Sequence, residues 1–187
     1  EAALMECLKT GLLCNDSFLV EKEGRWDVHG DPTEGALIVS AYKGGLSLDK
    51  LRELLPRVDT IPFDSQHQYM ATLHLFEGKR KIVYVKGAVE VLLEKCTSSL
   101  TGSGQLVPLV KDTVQKSVEK MASGGLRVLA FARKDLPQET ARVNHADIAT
   151  GLTFLGLQGM IDPPRQEAVA AVRACQQAGM RVKMITG

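Results

Sequence analysis

The apolar run Ile82-Val83-Tyr84-Val85 ends on Lys86-Gly87-Ala88, and a helical pattern from Val89 to Cys96 begins at once. A strand that meets a glycine and then a helix leaves backbone N–H groups unpaired in a region of positive helix potential. The junction predicts a seat for an anion beside Lys86, with Gly87 letting it approach the main chain. A solvated lysine at a strand end gives the same three-residue match. Just upstream, Ala71, Leu73 and Leu75 alternate with Met70, Thr72, His74 and Phe76, and Glu77-Gly78-Lys79 turns the chain back into 81–86. That period of two predicts an antiparallel hairpin.

The flanking segments are helical or turn-like. Leu4, Leu8 and Leu12 recur at helical spacing. After Asn15-Asp16 comes a short stretch around Phe18–Val20 and a polar turn at Glu23-Gly24. Gly30-Asp31-Pro32-Thr33-Glu34 reads as a helix start: Asp31 as N-cap, Pro32 in the first turn and Glu34 closing a capping box. That helix stops at Gly44-Gly45, and Ser47 caps a short one ended by Pro56. Thr97 to Gly104, rich in Ser, Thr and Gly, reads as a loop. Val110, Val114, Val118 and Met121 mark a helix, and Leu126 to Arg133 a strand with Arg127, Leu129, Phe131 and Arg133 on one face. Residues 137–150 call for no regular element. A strand at 152–161, a helix at 165–178 and a strand at 182–186 then form a parallel crossover, read as the start of a second domain.

Composition narrows the function. A net charge of +1 over 187 residues, with no basic run, argues against a binder of nucleic-acid phosphates. No apolar stretch is long enough to span a bilayer, and no signal peptide opens the chain. Beginning at Glu1 inside a helical pattern, it reads as a piece of a longer protein. Its 4 cysteines and 4 histidines lack metal-ligand spacing, so no metal site is expected and the thiols read as buried and reduced.

Each candidate site motif admits two readings. Asp31-Pro32-Thr33-Glu34 is fully explained as a helix cap. In Ile61-Pro62-Phe63-Asp64-Ser65, the ring either stacks on a base beside polar residues through Gln68 or is a core phenylalanine. Arg127 pairs either a phosphate or a surface carboxylate. Asp162-Pro163-Pro164-Arg165 is either a stiff interdomain joint or a helix start. No nucleophile elbow, P-loop or Gly-x-Gly-x-x-Gly appears.

Order and spacing together are more specific. Gly30-Asp31-Pro32-Thr33-Glu34-Gly35-Ala36-Leu37, Ile61-Pro62-Phe63-Asp64-Ser65, Val85-Lys86-Gly87-Ala88, Gly125-Leu126-Arg127-Val128-Leu129-Ala130, Gly159-Met160-Ile161-Asp162-Pro163-Pro164-Arg165 and Met184-Ile185-Thr186-Gly187 resemble type II cation-transporting P-type ATPases, the group of calcium and sodium/potassium pumps. The resemblance covers nearly the whole chain. It implies an α+β nucleotide-binding domain over 1–161, an antiparallel sheet flanked by helices. Residues 162–187 would then be the hinge and first strand-helix-strand piece of an α/β phosphorylation domain. On this reading the strand ending at Ile161 belongs to the nucleotide domain.

The resemblance also implies roles. Phe63 would stack on adenine, Glu34 would lie at its polar edge, and Lys86 with Gly87 would line the pocket floor. Arg127 would reach the phosphates and Leu129 would pack near the base, with Ser65 and Gln68 as further nucleotide contacts. Asp162 and Arg165 would form the hinge, and Thr186 and Gly187 would approach the γ-phosphate. Gln68 replaces a lysine frequent in the family, and Val89 a frequent proline. The implied ligand is ATP, carried as Mg-ATP in a full-length membrane protein whose remaining domains are the partners. The phosphorylated aspartate is not among these residues, so the chain is expected to bind ATP from the cytosolic side and not turn it over. The alternative is a non-catalytic regulatory or interaction module of the same fold. A soluble haloacid-dehalogenase-type phosphatase would need an Asp-x-Asp that this sequence lacks.

Overall fold

The spacing at the start of the chain forms α1 (Ala2–Leu13), which buries Leu8, Leu12 and Leu13 and leaves Leu4 exposed. A separate two-stranded ribbon follows, β1 (Phe18–Lys22) and β2 (Arg25–His29). Its two-residue turn, Glu23-Gly24, has positive φ at both positions (52° and 74°), the geometry that matches strand twist. Next come α2 (Pro32–Lys43), α3 (Leu48–Leu54), β3 (Arg57–Asp64), β4 (Tyr69–Leu75) and β5 (Lys81–Gly87). Ser47 stands at the α3 N-cap, but its hydroxyl makes no capping bond.

The computed structural model describes residues 1–76, 80–162 and 164–185. The expected turn at Glu77-Gly78-Lys79 lies outside the described residues. Its two arms pair antiparallel from Leu75↔Lys81 to Tyr69↔Gly87, as the alternation predicts.

The second half contains α4 (Val89–Lys95), β6 (Cys96–Leu100), β7 (Leu106–Pro108), α5 (Lys111–Ser123), β8 (Arg127–Leu136), β9 (Leu152–Met160) and α6 (Gln166–Gln177). The segment expected as a loop from Thr97 therefore begins as a strand. Its hydroxyl-rich sequence hides it, because Ser98 pairs laterally: its Oγ lies 3.0 Å from Thr153 Oγ1 of β9.

Seven strands form one sheet in the order β3-β4-β5-β8-β9-β6-β7. The expected antiparallel sheet is in fact mixed, because β6 runs parallel to β9 while the other neighbours are antiparallel. The fold is α+β, with helices flanking the sheet. Both faces are covered, which is why β4 is buried at Met70 and Leu73 alike rather than on alternate residues. Leu8, Leu12, Ile38 and Leu51 cover Met70, Ile82 and Tyr84 on one face. Val89, Leu92, Val143 and Ile148 pack with Leu73, Val83 and Val85 on the other. Residues 137–150 have no regular element, as expected, yet Val143 and Ile148 enter the core and the Val143 N–H donates to Asp59 Oδ2 at 2.9 Å.

Helix α1 lies across β8 and β9. Gln158 Nε2 donates to the Cys7 carbonyl at 3.3 Å, and Arg133 pairs with Glu6. Burial pushes the Cys7 and Cys96 thiols up to about 12, so both stay protonated. Cys14 is also buried and free, while Cys175 is only partly covered, against the expectation for all four.

Among the described residues the terminal crossover does not form. Strand β9 joins the main sheet beside β8, and residues 181–185 carry no strand pairing. A strand needs a neighbour for its N–H and C=O groups, and the described residues offer 182–185 none. Pro163, Thr186 and Gly187 lie outside the described residues. No helix among those described is long and apolar enough to cross a membrane.

Candidate functional site

A cleft of about 270 Å³ opens where α2, the turn after α1, β3, β5 and β8 meet. Six of the residues singled out from sequence line it: Glu34, Phe63, Lys86, Gly87, Arg127 and Leu129. Ser65 and Gln68 do not. They sit exposed on the β3–β4 turn beyond Phe63. That turn is built by Asp64, whose Oδ1 accepts the N–H groups of Gln66 (2.6 Å) and His67 (3.2 Å). Gln68 there adopts a left-handed φ of 58°. Asp162 and Arg165 are exposed and outside the cleft, between β9 and α6.

Phe63 is 62% exposed, so it is not a core side chain but an aromatic face at the rim. Lys86 is the reverse: only 6% exposed, on the cleft floor. A buried ammonium needs a partner. Glu34 Oε1 supplies one at 2.5 Å. Its second oxygen, Oε2, accepts from the N–H groups of Asp16 and Ser17 (3.0 Å each) and from Ser17 Oγ (2.9 Å). Glu34 therefore does not close the capping box expected of it. Asp31 caps α2 alone, accepting from Thr33 N–H (2.8 Å) and Glu34 N–H (3.2 Å).

The turn that receives Glu34 is itself fastened. Asn15 Nδ2 donates to the carbonyls of Gly11 (3.0 Å) and Glu34 (2.9 Å). Arg57 donates to Asp16 Oδ1 (2.5 Å) and to the carbonyls of Leu13 (2.7 Å) and Asn15 (2.6 Å). Two basic residues thus hold acidic ones in place, leaving Arg127 as the exposed cation at the cleft mouth. Partial burial pushes the Asp31 carboxyl up, but hydrogen bonds from Glu34 and Thr33, with the Arg127 charge, leave it below the usual range.

At the strand–helix junction one of the N–H groups expected to face outward is already paired. The Ala88 N–H donates to the Gln68 carbonyl at 2.9 Å, and Gly87 pairs with Tyr69 on one side and Ala130 on the other. Gly87 is small because β4 presses on it. A Cβ there would lie 2.5 Å from Gln68 O and 2.9 Å from Tyr69 Cα. Asp16, Asp31, Thr33, Leu37 and Met70 also line the cleft, and none of them was assigned a ligand contact from sequence. Met70 carried the one usable signal, facing Lys86 across the predicted hairpin. Asp16 carried none, since the groups that fix it, Glu34 and Arg57, lie 18 and 41 residues away.

An apolar base of Leu37, Met70 and Leu129, an exposed ring and a cation at the mouth suit a flat heterocycle with an anionic tail. Comparisons with known proteins give the family. Residues 3–167 match the family described as P-type ATPase, cytoplasmic domain N. The chain is 56% identical over 184 residues to the cation-transporting ATPase pma1 of Synechocystis sp., covering 98% of the chain and 20% of that protein. It is 45% identical over 186 residues to a protein of Mycobacterium bovis called probable cation-transporting ATPase F (100% of the chain, 20% of the relative). With the calcium-transporting ATPase of Bacillus subtilis it shares 34% over 187 residues (98% and 21%). It thus spans about a fifth of the length of these relatives. With that match running from α1 into α6, the chain belongs to the P-type ATPase cytoplasmic domain N family.

Proposed function

We propose that this chain holds the adenosine end of ATP for a cation-transporting P-type ATPase. The observation that carries the reading is the exposed Phe63 ring and the Arg127 guanidinium on one cleft, above an apolar base. Phe63 offers its face to the purine. Glu34 and Lys86 keep the floor rigid and nearly neutral, and Arg127 meets the phosphates. ATP, as Mg-ATP, supplies the phosphoryl group that the longer protein would transfer to an aspartate and couple to cation movement. The relatives' printed names and greater length support that wider reading. So does the lack of a bilayer-length helix among the described residues, as fits a cytosolic part of a membrane protein. Residues 1–161 would form the nucleotide domain. Asp162 and Arg165 would hinge it to the phosphorylation domain that starts at 162 and brings Thr186 and Gly187 toward the γ-phosphate.

One aromatic stack and one exposed cation give modest affinity, a Kd on the order of 0.1–1 mM. AMP and ADP should bind within about tenfold of ATP, because the base supplies most contacts. A calorimetric or NMR titration of all three, with GTP as control, tests this. GTP binding as tightly as ATP, or AMP failing to bind, rejects the pocket assignment and favours a non-catalytic interaction module.

A further inference from the structure

We propose that a second pocket, at the far end of β5 and β8 from the cleft, binds hydrogen phosphate. The two sites share one sheet face. Ile82 and Lys86 are four residues apart on β5, about 13 Å along the strand. The second pocket measures about 130 Å³, room for roughly four waters at about 30 Å³ each. That suits one tetrahedral oxyanion rather than a nucleoside.

Tyr84 marks the site. The residue is 1% exposed, and its hydroxyl has no hydrogen-bond partner among the described residues. No fully enclosed side-chain polar atom lacks a partner there, so this hydroxyl must open into the pocket it lines. Burial, then the Glu6 charge, push its pKa up, which keeps it an O–H donor at neutral pH.

The charges around it are already sorted. Glu6 is held from both sides, one oxygen by Lys9 and the other by Arg133. Arg80 lies with its guanidinium carbon 4.8 Å from the centre of the Phe76 ring, poised at the pocket. Neither Arg80 nor Lys81 has an ion-pair partner among the described residues. The pocket therefore offers an aromatic hydroxyl, a guanidinium and an ammonium as donors. Of its two carboxylates, Glu6 is taken up by Lys9 and Arg133, and the exposed Asp135 is the acceptor with no ion-pair partner among the described residues. Hydrogen phosphate matches that set: three oxygens accept, and its single P–OH donates to Asp135. Sulfate has no such proton and meets Asp135 as a like charge.

The test is a 15N NMR titration of the chain with inorganic phosphate, repeated with sulfate at matched ionic strength. Saturable shifts at Lys81, Tyr84 and Arg133, about tenfold tighter for phosphate than for sulfate, are expected. They should persist when AMP saturates the first cleft. The double variant R80Q/K81Q, at one exposed and one half-buried position, should weaken phosphate by about tenfold or more with the rest of the spectrum unchanged. D135N should erase the preference over sulfate. Glycerol phosphate and phosphatidic-acid vesicles, as competitors, tell a soluble phosphate from a lipid headgroup; displacement by either supports the site. Absence of saturation, shifts confined to Lys86 and Arg127, equal sulfate binding by the wild type, or an unaffected R80Q/K81Q overturns the proposal.

Discussion

Glu34 Oε1 and Lys86 Nζ meet at 2.5 Å across the gap between α2 and β5, with side-chain exposures of 16% and 7%. Neither charge is open to a ligand without first leaving the other. The pair joins the first turn of α2 to the middle of the sheet, and so sets where the cleft floor lies. Removing only Lys86 leaves Glu34 Oε1 covered and unpartnered. K86M should therefore destabilise the chain by about 3–5 kcal/mol. The double variant E34Q/K86M should lose clearly less than the sum of the singles. Urea unfolding of the four-member cycle measures the coupling, and strict additivity would contradict a shared buried pair.

Phe63 separates stability from binding. Its ring is 62% exposed, so F63A should leave the unfolding midpoint nearly unchanged. On the proposed reading it should weaken AMP by about 1–3 kcal/mol, the range for a lost base–aromatic stack. Calorimetry of the variant with AMP reads the effect directly. Intact affinity would remove the aromatic rim from the site.

Arg127 acts on the tail of the ligand. R127A should weaken ATP by about fivefold, near 1 kcal/mol, and AMP by less. Equal losses for both nucleotides would place Arg127 against the nucleoside or its first phosphate rather than the outer phosphates.

His74 makes stability depend on pH. It is 1% exposed on β4. Its Nδ1–H donates to the Leu55 carbonyl at 2.8 Å, while Nε2 accepts from the Thr72 hydroxyl at 2.9 Å. Burial lowers its pKa from 6.5 to about 4, so on acidification the unfolded chain takes the proton first. The stability of the neutral imidazole is complete above about pH 6.5 and drains away towards about pH 4, up to about 3 kcal/mol. H74Q keeps a donor for Leu55 and cannot titrate. Its urea midpoint should fall less steeply across that window, and a slope matching wild type would assign the acid loss elsewhere.

Gly87 tests the packing reading of the strand–helix junction. G87A places a methyl against the Gln68 carbonyl and the Tyr69 backbone, which cannot swing aside. Destabilisation of about 1–3 kcal/mol is expected by thermal unfolding. A neutral result would mean that β4 can yield.

Local signals were legible wherever the neighbouring sequence decides the outcome. The antiparallel pairing of 69–75 with 81–87, the Asp31 cap and the irregular stretch at 137–150 all follow from period, turn chemistry and composition. The family resemblance also implied one pocket for Phe63, Lys86 and Arg127, and all three line the cleft. What stayed hidden depends on partners distant in sequence. Glu34 has the spacing of a capping box, yet Lys86, 52 residues on, and the Ser17 turn outbid the local N–H. Strand β6 is disguised by serines and threonines whose pairing partner lies on β9. Gly87 reads as an opening for a ligand until β4 is seen pressed against it.

The docking of α1 onto β9 constrains when this domain can fold. Cys7 and Gln158 are 151 residues apart, and Glu6 and Arg133 are 127 apart. A ribosome releases the first helix long before its far contacts exist. Until β9 emerges, the Leu37 and Phe131 surface that α1 helps to seal has no complete cover. Such distant closures make for slow, late-cooperative folding. A nascent chain halted before residue 152 should accordingly remain protease-sensitive along its whole length.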